Sequence, residues 1–169
     1  MRIICPIDFS AASDHAEREA LELARALGAE VILLHVSVET PPYAEGTVDV
    51  RKVYEAQRKW ATERLGERVQ AAAAAGVTAR TVLVTGVPFD VIVRAATEEA
   101  ADMIVMGTHG RTGLNRLLLG SVTERVLRMA PCPVLTVREP ETTPETSKPV
   151  PPKPAAPRGK SDGKSDSRE

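Results

Sequence analysis

Val31-Ile32-Leu33-Leu34-His35-Val36 is a run in which apolar and polar residues do not alternate, so a strand built from it is covered on both faces. Such a strand belongs to a parallel sheet with helices above and below. Upstream, Gly28 closes a helix whose apolar residues Ala16, Ala20, Leu23, Ala24 and Leu27 recur at helical spacing. Before that helix, residues 2–7 form a short β-branched run that leads into Asp8-Phe9-Ser10. Downstream, residues 37–50 contain Pro41-Pro42 and Gly46 and read as a long loop. A longer helix over about 51–75 then carries Ala61, Leu65, Val69 and Ala72 on one stripe and stops at Gly76.

The same alternation continues to residue 138. Residues 78–85 make a third strand, Gly86-Val87-Pro88 turns the chain, and Phe89, Ile92, Val93 and Ala96 mark a helix. Met103-Ile104-Val105-Met106 is a fourth strand; after a glycine-punctuated loop come a helix from Ser121 to about Ala130 and a fifth strand, Val134-Leu135-Thr136-Val137. The pattern predicts an α/β fold, a five-stranded parallel sheet with helices on both faces, linked by right-handed crossovers. Ligands of such sheets bind beyond the carboxyl ends of the strands, where strand order reverses, which directs attention to the loops after the first and fourth strands.

Composition narrows the function. Twenty-two Lys and Arg against 23 Asp and Glu give a net charge of −1, which offers no broadly basic surface and argues against general nucleic-acid binding. Phosphate recognition would have to be local. No stretch approaches the ~18–20 consecutive apolar residues of a bilayer span, and the start lacks a signal peptide's apolar core, so a cytoplasmic protein with no membrane partner is expected. The two cysteines, Cys5 and Cys132, sit in no metal-ligand cluster and are expected to be reduced packing residues. Residues 139–169 change character: seven prolines, three apolar residues, and six basic against six acidic side chains predict a disordered, solvated spacer after a domain spanning 1–138.

The most informative motif is Gly107-Thr108-His109-Gly110, nine residues, then Gly120-Ser121, which begins where a strand ends and finishes where a helix begins. Glycines let backbone N–H groups approach an anion without a Cβ in the way. Ser121, Val122 and Thr123 would add the N–H groups of a helix's first turn, where the macrodipole also favours negative charge. Arg111 and Arg116 could neutralise phosphate oxygens. A structural alternative stays open: the glycines make a turn and Ser121 caps a helix. Asp8 likewise reads either as an acceptor for ribose hydroxyls or as the cap of the first helix. Rival phosphate motifs are absent: no GxGxxG follows the first strand, and Gly159-Lys160-Ser161 and Gly163-Lys164-Ser165 have Pro154 and Arg158 where a P-loop needs glycine.

Taken in order, Pro6-Ile7-Asp8-Phe9-Ser10, Leu33-Leu34-His35-Val36, Met106-Gly107-Thr108-His109-Gly110-Arg111-Thr112-Gly113 and Gly120-Ser121-Val122-Thr123 resemble a universal stress protein over residues 1–138. The intact GxxGx9G followed by Ser is the mark of that family's ATP-binding branch. The resemblance implies strand order 3-2-1-4-5 and ATP, carrying its own Mg²⁺, as ligand. It implies that Asp8 bonds the ribose, that Pro6, Ile7 and Val36 wall the adenine, and that Gly107, His109, Gly110, Gly120, Ser121, Val122 and Thr123 hold the phosphates; Met106 and Arg111 join the same binding set. It also implies a homodimer through Val134, Leu135, Thr136 and Val137, an apolar edge with no Lys or Pro inside it.

Catalytic equipment is sparse. His109 could orient water or serve only as a phosphate donor, His35 reads as a core histidine, His15 has no evident partner, and no triad, HExxH or paired aspartate is present. The expected function is an ATP-binding stress-response sensor or regulator that acts through dimerisation and an unidentified protein partner. Two alternatives stay open: a slow ATPase or self-phosphorylating enzyme with Ser121 or Thr123 as acceptor, and a nucleotide-free adaptor.

Overall fold

The computed structural model describes residues 1–38, 50–109 and 119–138. Among them five strands alternate with four helices: β1 Arg2–Pro6, α1 Ala11–Leu27, β2 Glu30–Ser37, α2 Val50–Ala74, β3 Ala79–Thr85, α3 Pro88–Glu98, β4 Met103–Gly107, α4 Ser121–Met129 and β5 Val134–Val137. The sheet is parallel, in the order β3-β2-β1-β4-β5. Gly110, Arg111 and Arg116, together with the expected spacer 139–169, lie outside the described residues.

Because side chains of a strand alternate between faces, a sheet covered twice needs two apolar sets. Ile3, Cys5, Ile7, Val31, Leu33 and Val105 pack on one face with Ala16, Ala20 and Ala24 of α1 and Leu65 and Ala72 of α2. Ile4, Ile32, Leu34, Ile104 and Met106 pack on the other with Val91, Ile92 and Ala96 of α3 and Val126 of α4. The alanines of α1 recur every four residues, so the helix presents a smooth stripe and lies close to the sheet. Gly28 closes α1 at φ 63°, where a Cβ would be strained, and its N–H donates to the Ala24 carbonyl.

Two charged clusters fasten these layers. Arg68 of α2 donates to Asp14 of α1 at 2.7 Å and to Glu17, a buried carboxylate of the same helix. At the amino ends of the strands, Arg80 of β3 pairs with Glu30 of β2 at 3.0 Å and with Glu99 after α3. The Arg2 backbone N–H donates to Asp102 at 2.7 Å and its guanidinium to the Glu99 carbonyl at 2.7 Å. Cys5 is fully buried, and desolvation pushes its thiol up to about 12, so it is a packing residue with no thiolate at neutral pH. Cys132 is half-buried and free, and burial, then the Asp102 charge, raises it too.

Candidate functional site

Strand order reverses between β1 and β4: the chain leaves β1 toward β2 on one side and returns through β4 on the other. The crevice is built into β1 itself. β1 pairs with β2 as far as Pro6 opposite Leu34, but its ladder with β4 runs through Ile3 and Ile4. The Ile7 N–H donates to the Leu34 carbonyl of β2 at 2.8 Å, while the Arg2 carbonyl accepts from Asp102 beside β4 at 2.9 Å. Even-numbered residues of β1 therefore face β4, and at position 6 the facing residue is a proline with no N–H to give. Pro6 thus ends the β1–β4 ladder at the carboxyl end of β1.

On the β4 side, Gly107 lies against the first turn of α1: a Cβ there would sit 2.9 Å from the Ala12 carbonyl oxygen and 3.0 Å from its carbon. The next residues turn toward α4. The Gly120 N–H donates to the Thr108 carbonyl at 2.8 Å, and the buried Thr123 hydroxyl donates to the Gly107 carbonyl at 2.9 Å. Gly120 is the N-cap of α4 and brings no side-chain acceptor, so the first-turn amides of Ser121, Val122 and Thr123 are not capped from that position. Ser121 is the first helical residue rather than the cap, which corrects the structural alternative raised for it. His109 is held by Thr108, whose hydroxyl lies 2.9 Å from Nδ1.

Across the crevice, the Asp8 carboxylate accepts from the Ser10 N–H at 3.0 Å and from the Ser10 hydroxyl at 2.5 Å. Ser10, not Asp8, caps α1: its Oγ accepts from the Ser13 N–H at 3.2 Å. The capping alternative for Asp8 is thereby corrected, and Asp8 instead braces the residue that caps. Between them Phe9 adopts φ 62°, and its ring packs on His35 at 4.8 Å and on Trp60 of α2 at 4.7 Å. His35 Nδ1 lies 2.7 Å from the Ile7 carbonyl, so this histidine joins β2 to the end of β1. His15, for which no partner was evident, pairs with Arg18 at 2.7 Å.

The structure thus brings Pro6, Ile7, Asp8, Val36, Gly107, His109, Gly120, Ser121, Val122 and Thr123 to the carboxyl end of the sheet, though not all in the same capacity. Pro6, Asp8 and Val36 are half-buried at the rim, whereas Ile7 and Met106 are buried and support the rim from the two cores. The Val122 side chain also packs toward the second core. A cleft of about 620 Å³ lined by Phe9, Trp60, Arg64, Glu67, Arg68 and Ala71 lies on the α2 side of the same loop. Its charges are already paired, Arg64 with Glu67 and Arg68 with Asp14 and Glu17, which makes it a poor anion site. Among the described residues no cluster of three His, Cys, Asp or Glu could hold a metal ion.

This geometry sits within a sequence that matches the universal stress protein family model over residues 1–138. Universal stress protein MJ0531 of Methanocaldococcus jannaschii is 40% identical over 144 residues, covering 83% of each chain. The chain belongs to the universal stress protein family. Among solved universal stress proteins, one in complex with cAMP is similar at TM-score 0.62 and 29% identity, over 81% of this chain and 96% of that one. Hypothetical protein MJ0577 is similar at TM-score 0.73 and 31% identity, over 83% of this chain and 97% of the other. The family's five-stranded order is the order observed here.

Two features around this candidate site of the universal stress protein were not legible from the sequence. Serine as a cap before a helix was a legible signal for Ser10, but its bond to Asp8 depends on the turn between them. Phenylalanine in a left-handed conformation has no sequence signature, since glycine or asparagine is the residue that usually marks one.

Proposed function

We propose that residues 1–138 are a cytoplasmic nucleotide-binding domain that takes ATP, with the Mg²⁺ the nucleotide carries, in the crevice between β1 and β4. The nucleotide biases a homodimer formed through β5, and a protein partner reads the state. The observation that carries this reading is the convergence of Gly107, Thr108 and the first turn of α4 on one side with the Asp8 carboxylate on the other. Backbone donors and a helix N-terminus suit a polyphosphate, and a carboxylate suits ribose hydroxyls. A family member solved with cAMP supports an adenine nucleotide as the class of ligand. Among the described residues no helix is long and apolar enough to cross a membrane.

Pro6, Ile7 and Val36 would face the base, Asp8 the ribose, and Gly107, His109, Gly110, Gly120, Ser121, Val122 and Thr123 the phosphates, with Met106 beneath and Arg111 from the loop. Equilibrium dialysis tests this: ATP binds saturably, and Asp8→Asn, which keeps an acceptor for Ser10, weakens binding about tenfold or more by removing a charged acceptor. No saturable binding at millimolar ATP would remove the reading and leave an adaptor. Slow hydrolysis is a second reading, favoured by the fixed ring of His109 beside Thr108. His109→Ala decides it, because a catalytic histidine loses phosphate release while binding survives. Thr123 is a weak phosphoryl acceptor, its hydroxyl being buried and committed to the Gly107 carbonyl.

A further inference from the structure

We infer that Phe9 is a positioning residue for Asp8 and that Trp60 is the support that holds it, an inference that rests on the nucleotide reading above. Phe9 occupies φ 62°, a region that a bulky L-residue enters only when its surroundings impose it. The imposition is visible in its ring, which meets His35 at 4.8 Å and Trp60 edge-on at 4.7 Å, with the Arg68 guanidinium 5.5 Å from its centroid. Two of these three neighbours are themselves anchored: His35 is tied to the Ile7 carbonyl and Arg68 to Asp14 and Glu17.

What the left-handed residue accomplishes is local. Asp8 and Ser10 flank it, and with the turn at position 9 the Asp8 carboxylate accepts both the N–H and the hydroxyl of Ser10. Those two hydrogen bonds fix the direction of the carboxylate at the rim of the crevice. Trp60, the single tryptophan of the chain and half-exposed on α2, therefore contributes to ribose recognition without touching the ligand. The ring contacts stabilise the turn, the turn orients the carboxylate, and the carboxylate reads the ribose.

The readout is the affinity ratio between ATP and 2′,3′-dideoxy-ATP, which lacks the hydroxyls that Asp8 would bond, measured by calorimetry alongside thermal melting. The wild-type chain favours ATP by about tenfold. Phe9→Ala keeps a Cβ in the left-handed region but loses the ring contacts, and brings the ratio close to one; Trp60→Ala moves it the same way. Phe9→Gly also loses the ring yet enters that region freely, and restores the ratio to within about twofold of wild type. A merely structural role would make the glycine variant at least as impaired as the alanine variant, in melting and in binding alike. Either alanine variant retaining the preference, a glycine variant no better than alanine, or a wild-type chain that binds both nucleotides equally overturns the inference and leaves the nucleotide reading standing. A wild-type chain that binds neither removes both.

Discussion

Gly107 and Thr123 show how single residues carry the site by their size and their hydrogen bonds. A methyl at 107 would lie 2.9–3.0 Å from the backbone and Cβ of Ala12, atoms that cannot swing aside as a flexible side chain would. Gly107→Ala should therefore push α1 from β4 and cost about 1–3 kcal/mol in urea unfolding, the usual penalty of overpacking. An unchanged midpoint would mean that α1 gives way more easily than its packing suggests. Thr123→Val keeps the shape of the side chain but deletes the donor that satisfies the buried Gly107 carbonyl, which should cost about 1–3 kcal/mol. Since that bond also seats α4 on the end of β4, nucleotide affinity should fall with stability. A variant with full affinity and lowered stability would separate the helix's seating from its role at the crevice.

At the scale of elements, the helices are clamped through charge as well as apolar packing. Glu17 is buried, and the nearby Arg68 guanidinium compensates its charge, joining α2 to α1. Arg68→Ala leaves that carboxylate without its partner and should cost about 3–5 kcal/mol, whereas the double change Glu17→Leu with Arg68→Met should recover most of it. Denaturation of the three variants decides, and a double variant as unstable as the single would refute the account. At the opposite end of the strands, the hydrogen bond from Arg80, and then its charge, holds the Glu99 carboxyl below its ordinary value. A depressed folded pKa means stability that is complete above the unfolded carboxylate value near 4.3 and is lost as pH falls through the lower folded value. Arg80→Ala should cost no more than about 1 kcal/mol at neutral pH, because both groups meet water, and the gap should close in acid. An equal gap at both pH values would place the effect in packing.

For the molecule as a whole, strand order and layering were legible because apolar runs such as residues 31–36 carry both faces of the sheet at once, and because Gly28 and Gly76 end their helices where the stripes end. The crevice was legible as a place, through the glycines after β4, but not as a mechanism. That Pro6 ends the β1–β4 ladder follows from which edge of β1 faces β4, a property of register, and that Ser10 rather than Asp8 caps α1 is a matter of the local turn geometry around Phe9. The far edge of the sheet poses a question that register also answers. The N–H groups of Ile104 and Thr108 in and after β4 donate to the Pro133 and Val137 carbonyls at 2.9 and 3.0 Å. By the alternation of a parallel ladder, the backbone groups of Val134 and Thr136 point away from β4, along the outer edge of the last strand. If two copies join there, Thr136→Pro removes one outward donor without touching the β4 ladder, since proline is tolerated where its missing N–H faces outward. The circular dichroism spectrum should stay as in wild type while the dimer dissociation constant from sedimentation rises about tenfold or more. Leu135, exposed on the same strand, gives the control in the side-chain direction: Leu135→Lys should weaken association through lost apolar contact. Association unchanged by both substitutions would place any dimer on another surface and detach β5 from the nucleotide's output.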